Sequence, residues 1–297
     1  MKPFPFPGLN LAIATPFDDA GRVDYKTLER NIEKFIAAGI KSILVSSGTG
    51  MHVYLSQAES QELIAHSCKI INGRTKVIAQ TSALVVDEVV ERTRYAAQCG
   101  VDGVMVLPPF FEGPTDDGGI VDFYTRVAAV GLPVIGYNVP SAVGITITPA
   151  LLEKLSAIPN FCAVKDSSGN FTGHTNLIRT GMNVMNGCDT QTLYALYAGC
   201  SGLIWGGANI APRTCLAMVA AATAGRWDEA RQLWRKLETL MAFLDEGPYV
   251  PAVYAAAKMT GYGAGKPRRP LKGLSAERIE VLRGTMDELI ALETAAI

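Results

Sequence analysis

The sequence predicts an α/β fold: a (β/α)8 barrel over residues 1–225, followed by a C-terminal helical extension over residues 226–297. The first observation is that short apolar runs alternate with amphipathic stretches eight times between residues 9 and 224. Such an order favours parallel strands with helices outside them. The second is that eight units fit a closed barrel better than a doubly wound sheet. The third is that 48% of the 297 residues are hydrophobic, which is enough for a large core.

The individual elements follow from hydrophobic periodicity and from residues that start or stop helices. Ser56 and Glu59 form a capping-box pattern, Gly39 and Gly100 end helices, and Pro149 stands at a first helical position. The predicted strands are 9–14, 42–46, 76–80, 103–107, 133–137, 161–164, 183–186 and 202–206. The predicted barrel helices are 25–38, 56–71, 86–99, 120–130, 149–157, 174–180, 191–198 and 212–224, and those of the extension are 227–245, 250–259 and 275–293.

Composition argues against several function classes. The formal net charge is -1 and the pI about 6.3, so no basic field is available for nucleic acid or an anionic membrane. No uncharged apolar segment is long enough to span a bilayer, and three prolines within residues 1–7 argue against a secretory signal. The six cysteines are scattered without a C-x-x-C pair, which indicates reduced residues of a cytoplasmic protein. Three histidines lack metal-ligand spacing, so we expect no metal site.

Lys165 is the first candidate catalytic residue. It stands where the sixth predicted strand ends, and the turn Asp166-Ser167-Ser168-Gly169 follows directly. A lysine in partly buried apolar surroundings loses its proton more readily, and the neutral amine is a nucleophile toward carbonyl carbon. The structural alternatives are a lysine whose ammonium reaches the surface or pairs with Asp166.

Two further candidate segments lie at the ends of other predicted strands, the second and the fifth. Ser47-Gly48-Thr49-Gly50 follows the second strand, and its backbone N–H groups with the Thr49 hydroxyl suit a carboxylate or phosphate. Val53 occupies the third glycine place of a dinucleotide fingerprint, which the loop therefore fails. Tyr137 ends the fifth strand, where its phenol could carry a proton or could be ordinary core. Because active sites of such barrels lie at the carboxyl ends of the strands, we expect these groups to meet Lys165 at the barrel mouth.

Taken together, the motifs resemble the dihydrodipicolinate synthase and N-acetylneuraminate lyase family. The resemblance covers residues 9–271. Its most specific part is the pair Tyr137-Asn138-Val139-Pro140 and Lys165-Asp166-Ser167-Ser168-Gly169. It also includes Ala14-Thr15-Pro16-Phe17, Leu107-Pro108-Pro109 and Gly206-Gly207-Ala208-Asn209.

The resemblance implies a Schiff-base lyase that acts on pyruvate or a longer 2-oxo acid, as aldolase or dehydratase. Lys165 then forms the Schiff base, Tyr137 relays the proton, and Gly48-Thr49 with Ser47 hold the substrate carboxylate. The family uses no metal or organic cofactor, because the iminium is the electron sink. It also implies a homotetramer built as a dimer of dimers.

Departures from the family pattern bear on the second substrate. Ala142 replaces an arginine that binds a substrate carboxylate in the synthase, and Phe111 replaces a tyrosine lent across its dimer. Gly48 replaces the first residue of the synthase's threonine pair, and the loop looks more like that of the keto-deoxy sugar acid dehydratases, although their glutamate is Met51 here. We therefore expect a sugar-acid-like substrate. The alternatives are 4-hydroxy-tetrahydrodipicolinate synthase, a metal-dependent aldolase and a non-catalytic 2-oxo acid binding protein.

Other residues are candidates for substrate binding. Asp189 follows the seventh strand and is either a ligand for a substrate hydroxyl, by the lyase pattern, or a helix N-cap. Ser167 is a pocket candidate, and the Ile204 carbonyl faces the site by the family pattern alone. Among the histidines, His174 is predicted to lie exposed in a loop, His66 to be structural, and His52 is left open.

Overall fold

The computed structural model describes residues 4–114 and 116–294. Residues 1–3 and 115 of the predicted barrel unit and residues 295–297 of the predicted extension therefore lie outside the described residues. Within them, the strands are Gly8–Ala12 (β1), Ser42–Val45 (β2), Lys76–Gln80 (β3), Gly103–Val106 (β4), Val134–Asn138 (β5), Phe161–Asp166 (β6), Val184–Asn186 (β7) and Gly202–Trp205 (β8). Each strand pairs in parallel with the next, and β8 pairs with β1 to close the barrel. The predicted (β/α)8 barrel is confirmed.

Helices follow each strand and continue beyond the barrel. They are Tyr25–Ala38 (α1), Gln57–Ile71 (α2), Val86–Gln98 (α3), Asp117–Ala128 (α4), Pro140–Val143 (α5), Pro149–Ser156 (α6), Phe171–Arg179 (α7), Thr192–Tyr197 (α8), Pro212–Thr223 (α9), Trp227–Asp245 (α10), Tyr249–Met259 (α11), Ala276–Gly284 (α12) and Asp287–Thr294 (α13). Short 3-10 helices cover His52–Tyr54, Asp189–Gln191 and Gly207–Asn209. None of the described helices is long and apolar enough to cross a membrane.

Several boundaries differ from the prediction for identifiable reasons. Helix α7 begins at Phe171 because the Asn170 side chain accepts a hydrogen bond from the Gly173 N–H, a cap that the prediction missed. The predicted helix 275–293 is two helices, α12 and α13, with a break at residues 285 and 286. Helix α5 was not predicted, since a single turn carries no periodicity.

The barrel interior is filled at the amino-terminal ends of the strands. The ring of Phe6 closes that end, and a Cβ on Gly103 would stand 2.6 Å from it. Above Phe6 lie inward side chains from every strand, and they include Ala12, Leu44, Ile78, Met105, Ile135, Ala163, Met185 and Ile204. Because this end is packed, a ligand can reach the interior only from the carboxyl ends of the strands.

The segment after the barrel shares its hydrophobic core. Helix α10 packs against α9 through side chains such as Trp234 and Leu237, which belong to the same buried cluster as the outer faces of the strands. From α11, the Tyr254 hydroxyl donates a hydrogen bond to the Thr15 carbonyl at 2.5 Å. This packing fixes the start of α11 next to the barrel mouth. The division at residues 225 and 226 stays a prediction.

Candidate active site

Lys165 and Tyr137 stand side by side on neighbouring strands. They are register partners of β6 and β5, and strand alternation points both into the barrel above Ala163 and Ile135. Lys165 is 7% exposed, and its Nζ lies 4.1 Å from the centroid of the Tyr137 ring. None of the described residues forms a salt bridge with Lys165. The amine is therefore inside the mouth, neither at the surface nor paired with Asp166.

A glycine makes room for the lysine side chain. Gly187 follows β7, which pairs with β6, and it takes the next inward position above Met185. A Cβ there would stand 2.3 Å from Lys165 Cε and 2.2 Å from Ser167 Oγ. The Ser167 hydroxyl thus lies beside the lysine stem. It is buried and has no hydrogen-bond partner in residues 4–114 and 116–294.

Asp166 points to the opposite face of β6 and holds the strand ends together. Its carboxylate accepts hydrogen bonds from the Asn138 amide at 2.7 Å and from the Ser168 N–H at 3.2 Å. His174 Nδ1 lies 3.0 Å from its second oxygen. Because Asn138 and Asp166 directly follow Tyr137 and Lys165, this network fixes the two inward side chains relative to each other.

The prediction for His174 was wrong. The residue is 1% exposed and lies in α7, not in an exposed loop. The error came from placing the start of α7 too late, which removed the helical face that turns His174 toward Asp166. Asp166 and His174 were not predicted as supporting residues, and their separation of eight positions across a turn and a helix start gave no local signal.

The Ser47-Gly48-Thr49-Gly50 loop is braced from below. Ser47 is buried, and its hydroxyl accepts a hydrogen bond from the Gly50 N–H at 3.3 Å. Thr15 donates its hydroxyl to the Gly50 carbonyl at 2.7 Å. Thr49 is buried over Gly206, where a Cβ would stand 2.6 Å from its hydroxyl oxygen, while Gly48 is exposed. The loop therefore brings the Thr49 hydroxyl into the mouth, and its role as a carboxylate site stays a prediction.

Asp189 lies in the mouth and is not a helix cap. Its Oδ2 accepts hydrogen bonds from the Tyr249 hydroxyl at 2.8 Å and from the Gly207 N–H at 3.1 Å. Burial raises the pKa of Asp189 to about 6, against the lowering effects of the Tyr249 hydrogen bond and the Lys165 charge. Burial, and next the Asp189 charge, hold the pKa of Tyr249 well above its ordinary value.

Tyr249 is the residue of this region that sequence reasoning missed. It stands one position before the predicted helix 250–259, in the C-terminal segment. No strand end or loop motif marks it. Its inward direction results from the packing of α10 and α11, which the local sequence does not display.

The remaining predicted residues lie at the edges of the site. Ile204 is 1% exposed in β8 and packs in the barrel interior with Tyr137. The expectation that its carbonyl faces the site stays a prediction. His52 Nδ1 lies 3.4 Å from the Gln80 amide, and burial, with a contribution from Arg92, lowers the pKa of His52 to about 4. His52 is therefore neutral near pH 7.

The site offers no visible metal constellation. Within the described ranges, no group of three or more His, Cys, Asp and Glu side chains is arranged to hold an ion. None of the cysteines in the described ranges forms a disulfide bond, and burial raises the pKa of Cys188 to about 11. Cys188 is therefore a neutral thiol near pH 7. The expectation that no cofactor is used stays a prediction.

With this geometry in view, comparison with known proteins decides the family. A model of the Dihydrodipicolinate synthetase family matches residues 5–289. The chain belongs to this family. Membership confirms the predicted resemblance and, with it, an enzyme of the class I lyase type.

Individual relatives agree with this assignment. The chain is 32% identical over 286 residues to a 4-hydroxy-tetrahydrodipicolinate synthase of Methanoculleus marisnigri, covering 94% of this chain and 97% of that protein. A crystal structure of a dihydrodipicolinate synthase superposes with a TM-score of 0.91 at 32% identity, over 96% of this chain and 99% of that one. The structure of a monomeric dihydrodipicolinate synthase variant superposes with a TM-score of 0.89 at 26% identity, over 95% of this chain and 96% of that one.

Proposed function

We propose that this family member is a lyase that forms a Schiff base between Lys165 and the keto carbon of pyruvate or a longer 2-oxo acid. The observation that carries the proposal is the position of the amine. Lys165 is 7% exposed, has no salt-bridge partner in the described part of the chain, and lies over the Tyr137 ring at the carboxyl ends of the strands, opposite the end that Phe6 closes. Such an amine is accessible to a ketone that enters the mouth and is shielded from bulk water.

The proposed roles follow from the distances around this amine. The neutral amine adds to the keto carbon, and loss of water leaves an iminium that withdraws electrons from the adjacent carbon. Tyr137, in contact with Lys165, moves the proton to and from the substrate. The loop of Ser47, Gly48 and Thr49 receives the substrate carboxylate. No step requires an oxidant or reductant, because the electrons released by the broken bond are held in the enamine.

For the second substrate we favour a hydroxylated, sugar-acid-like 2-oxo acid, cleaved by the aldolase route or dehydrated. Asp189 supports this choice, since a buried carboxylate at the mouth is a suitable acceptor for substrate hydroxyls. Ala142 supports it as well, because this exposed residue has no charge with which to bind a second carboxylate.

The second candidate is 4-hydroxy-tetrahydrodipicolinate synthase. The names of the curated relatives, at 32% identity over nearly the whole chain, favour this candidate over the sugar-acid one. Ala142 and Phe111 argue against it, because the carboxylate-binding arginine and the lent tyrosine of the family pattern are absent. Both candidates share the Schiff base with pyruvate or its analogue, and they differ in the partner that follows.

Borohydride reduction in the presence of pyruvate tests the shared step. We expect the reduced adduct on the peptide that contains Lys165, and no adduct in Lys165→Ala. Lys154→Ala, which removes an exposed lysine paired with Asp117, is the matched control and retains the adduct. A wild-type protein without an adduct on that peptide contradicts the proposal.

Turnover then separates the two candidates. A screen of 2-oxo sugar acids is run beside a coupled assay of pyruvate with aspartate semialdehyde. Turnover of the second pair, and of none of the sugar acids, would establish the synthase and overturn the sugar-acid assignment. Binding of pyruvate without turnover of any pair would instead point to a binding protein.

We also propose that the protein is a cytoplasmic homo-oligomer, by the family pattern a tetramer. Apolar side chains on the loops that follow the adjacent strands β3 and β4 support self-association: Leu84, Val85 and Phe111 are exposed, Phe111 by 80%. A monomeric relative exists in the family, so the subunit number needs measurement. Sedimentation equilibrium provides it, and a monomer at micromolar concentration contradicts the proposal.

A further inference from the structure

Tyr249 brings a hydroxyl to the lysine site from outside the barrel. It is the first residue of α11 and is half buried, and its hydroxyl reaches Asp189 Oδ2 at 2.8 Å. Tyr254, five residues further along the same helix, instead anchors α11 to Thr15. The two tyrosines therefore have separate roles, and the Tyr249 hydroxyl makes its contact at the barrel mouth.

Two consecutive glycines leave the space through which this hydroxyl reaches the site. A Cβ on Gly206 would stand 2.2 Å from the Tyr249 hydroxyl oxygen and 2.6 Å from Thr49 Oγ1. A Cβ on Gly207 would stand 2.9 Å from Asp189 Oδ2. The strand-end glycines thus accommodate a polar series that runs from Thr49 through Tyr249 to Asp189. The Thr49 hydroxyl also acts on Tyr249, since it opposes the rise in the Tyr249 pKa that burial causes.

In the Asp189 carboxylate at the end of this series, the described residues donate hydrogen bonds to one oxygen only. Its Oδ2 is held by two donors, the Tyr249 hydroxyl and the Gly207 N–H. Its Oδ1 receives no hydrogen bond from residues 4–114 and 116–294. With Oδ2 held by two donors, the direction of Oδ1 is constrained too, and a carboxylate oxygen with a free lone pair can accept a hydrogen bond from a ligand hydroxyl.

We propose that Tyr249 is a specificity-determining residue of the lysine site, which positions Asp189 so that its free oxygen accepts a hydroxyl of the 2-oxo acid chain beyond the keto carbon. The inference rests on the proposed Schiff-base function. It keeps the hydroxylated 2-oxo acids of the proposed function as the substrate class, and it assigns their selection to a residue of the C-terminal segment. Without the Tyr249 hydroxyl, the carboxylate loses one of its two fixed donors, and its orientation is no longer unique.

Two six-carbon probes test the proposal on the full-length protein. 2-Oxo-3-deoxygluconate carries hydroxyls at carbons 4 to 6, and 2-oxohexanoate is the same chain without them. Apparent dissociation constants and maximal trapping rates come from borohydride trapping at Lys165. The wild type should bind the hydroxylated probe more tightly. In Tyr249→Phe that preference should fall about 10-fold to 100-fold, the range for a lost hydrogen bond to a charged group.

Tyr254→Phe is the matched control, because it removes a hydroxyl from the same helix that lies outside the polar series. We expect it to keep the preference. An unchanged preference in Tyr249→Phe, an equal loss in Tyr254→Phe, or a wild type that does not favour the hydroxylated probe would each overturn the inference while leaving the Schiff base in place. If the wild type forms no adduct at Lys165 with any probe, the proposed function fails, and this inference fails with it.

Discussion

Replacement of Gly187 by alanine should disable the lysine and spare the fold. The added methyl carbon would stand 2.3 Å from Lys165 Cε and 2.2 Å from Ser167 Oγ. Both atoms belong to side chains that can rotate. Gly187 has no positive φ, so its backbone conformation is open to alanine. The strain should therefore be relieved by a shift of the lysine stem and the serine hydroxyl.

The size of the shift sets the size of the effect. Carbon atoms in ordinary contact are ~3.5–4.0 Å apart, so Lys165 Cε must move by about 1.2 Å or more. A displacement of about 1 Å at a reacting group typically lowers a rate by about 10²-fold, which corresponds to about 2.7 kcal/mol of activation free energy. The free energy of unfolding should fall by only about 1–2 kcal/mol, the lower range for overpacking.

The rate of pyruvate trapping by borohydride, read by mass spectrometry on the Lys165 peptide, measures this effect without knowledge of the second substrate. Urea unfolding measures stability in parallel. Gly273→Ala is the control, because a Cβ at Gly273 meets no atom within 4 Å and should leave both values unchanged. Wild-type trapping in a folded Gly187→Ala protein would refute the view that Lys165 acts from the position above Gly187.

Three more outcomes follow from the site. Tyr137→Phe should slow the exchange of pyruvate methyl protons with deuterium, followed by NMR, by about 10²-fold to 10⁴-fold, and a normal exchange rate would remove its proton-relay role. Asp189 has a folded-state pKa of about 6, raised above the unfolded value, so the fold favours its neutral form. The stability of the wild type relative to Asp189→Asn should therefore fall by about 2 kcal/mol between pH ~4 and ~6, and a pH-independent difference in urea unfolding contradicts this. His174→Ala should lower the free energy of unfolding by about 2–4 kcal/mol because it leaves a cavity and deprives Asp166 of a partner, whereas His66→Ala on a half-buried helix face should cost clearly less.

Strand ends were predictable because their signal is local. The alternation of apolar runs and amphipathic stretches, with glycine and proline at the boundaries, predicted the order of the barrel elements and most of their boundaries to within a few residues. Once the barrel is accepted, strand ends must gather at one rim. The meeting of Lys165, Tyr137 and Thr49 then follows from topology alone.

The direction of each side chain was less predictable. Lys165 was expected at the end of β6, but the strand continues to Asp166, so alternation separates the two residues onto opposite faces. That separation leaves the Lys165 amine in the barrel mouth and places the Asp166 carboxylate next to His174. A shift of one residue in the pairing register of β6 would exchange these roles, and the register is not visible in the sequence of a single strand.

The sequence by itself thus determined the barrel, the family and a lysine and tyrosine at adjacent strand ends, because each depends on short-range patterns. Only the tertiary structure decided that Tyr249 reaches Asp189 across 60 positions. It also decided that Gly187 and Gly206 lie where a Cβ atom would collide with neighbouring side chains. The physical reason is that the Tyr249 contacts depend on how α11 packs on the closed barrel, and the Gly187 contacts depend on the pairing of β6 with β7. A packing between distant elements leaves no periodic trace in either one.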